Sequence, residues 1–191
     1  MARLLTNVLG CADRNREVLR WIRTLCAEPA RKVLVLSERI GHLEEIERGL
    51  EGSGLTVAYY VGGMKEAVRE EGAATARVLL ASYAMASEAM NIKTLNTVIL
   101  ASPRKNVEQS TGRILRTRVS ERVVAPVIVD IVDVHGPYRG QWKKRQAYYK
   151  QCAYRLETWE MGAEEPNQRR VVTASDVPER KPNEFGCLLE D

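Results

Sequence analysis

Five short apolar runs, separated by stretches of helical pattern, limit what this chain can fold into. The first, Val33-Leu34-Val35-Leu36 closed by Ser37, shows no polar alternation, which suits a strand covered on both faces in a parallel sheet. Further strand candidates lie at 56–61, 77–82, 97–101 and, within 123–132, from Pro126 to Val132. Between the first two, Leu43, Ile46 and Leu50 recur at helical spacing before Gly52 and Gly54, glycines that end a helix. Ahead of them, residues 13–26 begin with polar capping candidates and place Val18, Leu19, Ile22 and Leu25 on one stripe, with Trp21 at its edge. Residues 84–91 fit a short helix or a loop. Strand and helix alternate, so the expected fold class is α/β: an open, mainly parallel sheet with helices on both faces.

With 191 residues, 45% of them hydrophobic, the chain can bury one full core. The expected organisation is one domain over 1–161 and a largely disordered tail over 162–191, which is polar, carries Pro166, Pro178 and Pro182, and regains large apolar groups only at Phe185. Residues 138–160 are basic and aromatic. Tyr138, Trp142, Tyr149, Cys152, Leu156 and Trp159 form one helical stripe expected to cover the sheet. Arg139, Lys143, Lys144, Arg145, Lys150 and Arg155 lie mainly off it, as a face that is either simply solvated or in contact with a nucleic-acid backbone.

Cys11, Cys26, Cys152 and Cys187 are scattered without a CxxC pair, so zinc-ligand spacing is absent. Asp130 and Asp133 end the fifth run and read as a polar strand terminus; no metal site is expected. A net charge of +4 permits a basic side without requiring a polyanion. No apolar run approaches the roughly 18 residues of a membrane span, and the expectation is no membrane contact and a soluble intracellular protein, in cytoplasm, nucleus, viral factory or virion.

The stretch from Asn106 to Arg116 carries the chemistry. Asn106 with Gln109 three residues on reads as a capping-box start to a helix. At about 100° per residue, Gln109, Gly112, Arg113 and Arg116 share one narrow face while Val107, Ile114 and Leu115 share the opposite one. Two guanidinium groups one turn apart, beside an amide and a glycine, suit a phosphate chain and the charge on a transferring phosphoryl group. An ordinary amphipathic helix with a solvated basic face has the same spacing.

The text ASYAMASEAMNIKTLNTVILASP at 81–103, followed by QSTGRILR at 109–116, resembles the fifth and sixth conserved motifs of superfamily 2 helicases. The resemblance runs back through VLVLSERIGHL (33–43) and YYVGG (59–63) and forward through VIVDIVDVHG (127–136). It is strongest to the C-terminal RecA-like domain of the DEAD/DEAH-related helicases of large DNA viruses and phages. It implies that Arg116 reaches the γ-phosphate of ATP, that Arg113 assists it across the domain interface, and that Gln109 orients the attacking water or signals ATP occupancy. Glu88, Asn91 and Gly112 are the implied nucleotide-side residues, and Ser37, Arg39, Gly62, Gly63 and Ser82 the implied nucleic-acid contacts; a plain loop or turn role stays open for these five. The connector Ser87-Glu88-Ala89-Met90-Asn91-Ile92 departs from the family pattern, which has glycine and aspartate where Ala89 and Asn91 stand.

No GxxxxGK[ST] and no DExD/H segment occurs in the chain, which therefore lacks the means to grip ATP phosphates and magnesium by itself. The resemblance implies that ATP and Mg2+ are bound mainly by an N-terminal RecA-like ATPase domain, in cis or in trans, with DNA or RNA as the track. Hydrolysis by this chain alone is not expected. A non-catalytic RecA-like module that binds nucleic acid or protein is the alternative, favoured by Ala89 and Asn91; an unrelated Rossmann-like enzyme is a third.

Overall fold

A computed structural model describes residues 2–88, 90, 92–112 and 122–165. Its elements run α1 (Ala2–Leu9), α2 (Ala12–Cys26), β1 (Val33–Ser37), α3 (Ile40–Leu50), β2 (Val57–Tyr60), α4 (Glu66–Thr75), β3 (Val78–Ser82), α5 (Tyr83–Glu88), β4 (Thr97–Leu100), α6 (Glu108–Gly112), β5 (Val127–Asp130) and α7 (Gly136–Gln151). The strands form one sheet in the order β2-β3-β1-β4-β5, with every pair parallel.

Central β1 is buried at all five positions, which is why its sequence shows no alternation. Its side chains still divide by period two. Val33 and Val35, with Val78, Leu80 and Ile99, meet Val18 and Ile22 of α2 and Leu43, Ile46 and Leu50 of α3. Leu34 and Leu36, with Leu79, Ala81, Val98 and Leu100, meet Ala73 of α4, Tyr83 and Ala86 of α5, Tyr149 of α7, and Val107 just ahead of α6. Each fully buried Leu or Val contributes about 1.5–3 kcal/mol, so the two-sided apolar strands hold most of the fold's driving force.

Several boundaries differ from the sequence expectation. The fifth strand is four residues rather than the seven from Pro126 to Val132, because it pairs only with the four of β4; Val132 is exposed and lies outside it. Helix α4 is not legible in the sequence because it buries only Ala73 and so has no apolar stripe. Helix α1 is a further addition to the expected elements; it buries Val8 and Leu9.

The expected long helix of 138–160 stops at Gln151. Tyr154 N–H bonds the Tyr149 carbonyl and Ala153 N–H the Lys150 carbonyl, both at 3.0 Å, a Schellman ending in which Ala153 takes the left-handed position at φ 54°. Beyond it Leu156 still packs with the Tyr149 side of the sheet. Trp159 instead sets its ring edge against Trp21 of α2 at 5.1 Å between centroids. Gly162 N–H then bonds Glu17 on the same helix at 3.3 Å. No described helix is long and apolar enough to cross a membrane.

Candidate functional site

Because all five strands are parallel, their carboxyl ends share one edge of the sheet, where loops gather ligand-facing residues. Ser37 pairs in register with Ser82, and Leu100 with Asp130. Arg39 follows β1, Gly62 and Gly63 follow β2, and Ser82 closes β3, so these expected contacts do come to one edge. Arg39, Gly62 and Gly63 are exposed. Gly63 turns the chain at φ 83°, a conformation that favours glycine. Ser82 is half-buried, and its hydroxyl accepts the Met85 N–H at 3.4 Å.

Ser37 corrects the expectation of a surface contact. It is fully buried, and its Oγ lies 3.0 Å from His42 Nδ1. His42 Nε2 lies 3.0 Å from Asn15 Oδ1, and Asn15 Nδ2 donates to the Leu9 carbonyl at 2.7 Å. One neutral tautomer, with the proton on Nε2 and Ser37 donating to Nδ1, satisfies the whole row. Burial, and then the nearby Arg14 charge, push His42 down to about 4, which keeps it neutral at pH 7.

The loop between β4 and α6 is fixed from several directions. Arg14 Nη1 donates to the Ala101 carbonyl at 2.7 Å, and the rest of its guanidinium grips Asp133 at 2.8 and 3.0 Å. Ser102 Oγ accepts the Glu38 N–H and its carbonyl accepts the Tyr83 hydroxyl, both at 2.9 Å. Arg104 pairs with Glu38 and stacks its guanidinium 5.1 Å from the Tyr83 ring centroid. Its carbonyl accepts Nη1 of Arg145.

Arg145 itself is 3% exposed and holds Asp130 through Nε at 2.7 Å and Nη2 at 2.8 Å. Tyr149 adds a third bond to that carboxylate at 2.9 Å. Burial works against the Arg145 charge, but the hydrogen bonds and charge of Asp130 outweigh it and hold its pKa above the usual value. Arg145 is thus a core residue rather than part of a solvated basic face. Asp130 ends β5 as expected and Asp133 lies three residues past it, each inside an ion pair. Among the described residues no group of three or more His, Cys, Asp or Glu could hold a metal.

Helix α6 rises from this anchored loop. Asn106 Oδ1 accepts the Glu108 N–H at 3.2 Å, which caps the first turn as its sequence suggests. Val107, Ser110 and Thr111 are buried, while Glu108, Gln109 and Gly112 are exposed, so the expected inner and outer faces hold as far as Gly112. Thr111 Oγ1 bonds the Val107 carbonyl at 2.9 Å and lies 3.2 Å from the Tyr148 hydroxyl of α7. A Cβ added at Gly112 would meet nothing within 4 Å, which leaves the outer face open to an approaching group.

Arg113, Arg116, Ala89 and Asn91 lie outside the described residues, as does the side-chain role expected of Glu88, the last residue of α5. Sequence reasoning misses Arg14, Ser102, Tyr83, Arg145 and Tyr148 as supports of α6. Their partners stand 15 to 119 residues away, beyond the reach of local spacing; Tyr148 reads in the sequence only as one aromatic among several.

Residues 15–119 match the helicase conserved C-terminal domain. Over 162 residues, 83% of the chain, the sequence is 35% identical to an Acanthamoeba polyphaga mimivirus protein whose name proposes an ATP-dependent RNA helicase, L396, and it spans 30% of that protein's length. African swine fever virus QP509L, named in the same terms, is 32% identical over 99 residues, which are 51% of this chain and 19% of that protein. The crystal structure of T4 UvsW matches with a TM-score of 0.60 at 21% identity, over 77% of this chain and 34% of that one, a likeness of fold. The parallel five-stranded sheet is the RecA-like one of helicase C-terminal domains, and the chain belongs to the helicase conserved C-terminal domain family.

Proposed function

We propose that the chain is the C-terminal half of an ATP-dependent nucleic-acid helicase or translocase, that it supplies arginine fingers to a nucleotide held by a partner domain, and that its strand-end loops form part of the nucleic-acid track. The observation that carries this reading is the outer face of α6. Gln109 and Gly112 are exposed on a helix whose other face is buried and whose base is anchored, and the sequence continues that face with Arg113 and Arg116. Such a face fits as a lid on a phosphate chain, not as its cradle, since the P-loop is absent from the sequence.

When bound in the two-domain enzyme, ATP supplies a γ-phosphoryl group for transfer to water. In this reading Arg116 and Arg113 neutralise the charge on that group, and the Gln109 amide orients the attacking water. Gly112 gives the phosphates close access to the helix backbone. Arg39, Gly62 and Gly63 remain the exposed candidates for the nucleic-acid contact, whereas buried Ser37 acts through the loop it holds.

The test is Arg116→Ala in the assembled two-domain enzyme. Turnover of ATP is expected to fall by about 10³ or more, the scale of arginine-finger losses elsewhere, with the melting temperature as the control for folding. An unchanged turnover rate would refute the assignment. A non-catalytic module of the same fold is favoured by Ala89 and Asn91 in place of the family's glycine and aspartate; it becomes the better reading if the wild-type assembly shows no hydrolysis stimulated by nucleic acid.

A further inference from the structure

Helix α7 lies beyond the stretch that matches the family, 15–119. Its sequence, GPYRGQWKKRQAYYKQ, carries five cations and no carboxylate. Arg145 is spent on Asp130, but Arg139, Lys143, Lys144 and Lys150 are exposed. Among the described residues none of these four makes an ion pair. At about 100° and 1.5 Å per residue, Arg139, Lys143 and Lys150 fall within about 40° of one another and span roughly 16 Å along the helix. Lys144 points to the flank facing α6, where it lines a shallow hollow with Lys105, Asn106 and Glu108. Arg139 and Lys143 stand one turn apart, a spacing at which like charges repel and weaken the helix.

We infer that this face is a binding track for the phosphodiester backbone of a nucleic acid, distinct from the strand-end candidates Arg39, Gly62 and Gly63. The choice of polyanion rests on the nucleic-acid reading proposed above. A linear row of unpaired cations repels itself, and a phosphate backbone relieves that repulsion while releasing its own condensed counterions. A lipid surface fits less well. Peripheral helices bind membranes by burying an apolar face, and that face of α7 is already used: Tyr138 and Tyr149 are buried and Trp142 is packed against the sheet-side cluster. Glu108 edges the hollow at its α6 end, so the polyanion lies along Arg139, Lys143 and Lys150 and reaches Lys144 and Lys105 from the side.

The experiment measures binding of the 191-residue chain to fluorescein-labelled 20-nucleotide oligouridylate and oligodeoxythymidylate by anisotropy across a KCl series. It compares wild type with a variant combining Arg139→Gln, Lys143→Gln, Lys144→Gln and Lys150→Gln, all exposed positions, with the thermal melt as the control for folding. At low salt the variant should bind at least tenfold more weakly. Its log K against log salt slope should be shallower by roughly 2 to 3, since each phosphate of a single strand that is no longer neutralised takes about 0.7 from it. Equal affinity and slope in the two proteins would overturn the inference while leaving the nucleic-acid reading in place, and an Arg39→Gln variant run alongside reads the strand-end edge separately. No binding of either oligonucleotide by wild type would overturn both. Variant-sensitive binding of phosphatidylserine vesicles or polyglutamate in preference to the oligonucleotides would overturn the choice of partner.

Discussion

Replacing Arg145 with methionine keeps much of the side-chain volume and removes the charge. Asp130 is then left as a carboxylate 9% exposed, with the Tyr149 hydroxyl as its remaining bond and the Arg104 carbonyl without its donor. Breaking a buried pair from one side costs about 3–5 kcal/mol, because the surviving charge stays out of water. Losing the bond to the Arg104 carbonyl adds about 1 kcal/mol. At about 2–4 °C per kcal/mol for a domain near this size, the melting temperature should fall by roughly 10–20 °C. The double variant Arg145→Met with Asp130→Asn removes the stranded charge and should recover at least half of that loss. Urea unfolding of wild type, the two single variants and the double variant, followed by circular dichroism and tryptophan fluorescence, gives the coupling directly. A single Arg145→Met variant within 1 kcal/mol of wild type, or strictly additive effects, would refute the reasoning and return Arg145 to the basic surface.

Three further outcomes are expected. His42 has an ordinary pKa of 6.5 that burial and Arg14 lower to about 4; between those values the unfolded chain binds the extra proton, so stability is full above pH 6.5 and falls by on the order of 3 kcal/mol toward pH 4. Urea midpoints at pH 7.5, 5.5 and 4.5 should show that slope in wild type and lose it in His42→Gln; an equal slope in both would sink the assignment. A Cβ at Gly72 would stand 2.8 Å from the Ala58 Cβ, so Gly72→Ala should lose about 1 kcal/mol despite its better helix propensity, and adding Ala58→Gly should restore it; stabilisation by Gly72→Ala alone would count against the close approach of α4 and β2. Ala153→Gly should raise stability by about 0.5–1 kcal/mol in the same assay, since the left-handed position penalises a Cβ; any loss would mean the Schellman ending is not retained.

The sequence reveals features whose cause is local. The strand at Val33–Ser37 is legible because burial on both faces removes every polar residue from the run, and the faces of α6 follow from helical period alone. The fifth strand is overread because Val132 looks like a strand residue, yet β4 ends at Leu100, opposite Asp130, and offers it nothing to pair with. Ser37 is misjudged because a strand-end position does not say which way a side chain points. Its partner His42, five residues on, is the one sequence signal that could have warned of it. The supports of α6 are hidden for a different reason. Arg14 with Asp133 and Arg145 with Asp130 are matched in space by the folded sheet, and one sequence holds many equally plausible Arg–Asp pairs.

The loop from Ala101 to Val107 accepts or donates bonds to α2, to β1 and the residue after it, to α5 and to α7. Mechanically, this makes α6 the tooth of a solid jaw rather than a finger on a joint. In the proposed two-domain enzyme the tooth can meet or leave the nucleotide only if the sheet, α2 and α7 travel with it. A stroke would then be a swing of the whole body, and a weakened α7 anchor would be felt as backlash in that swing before it was felt as loss of fold.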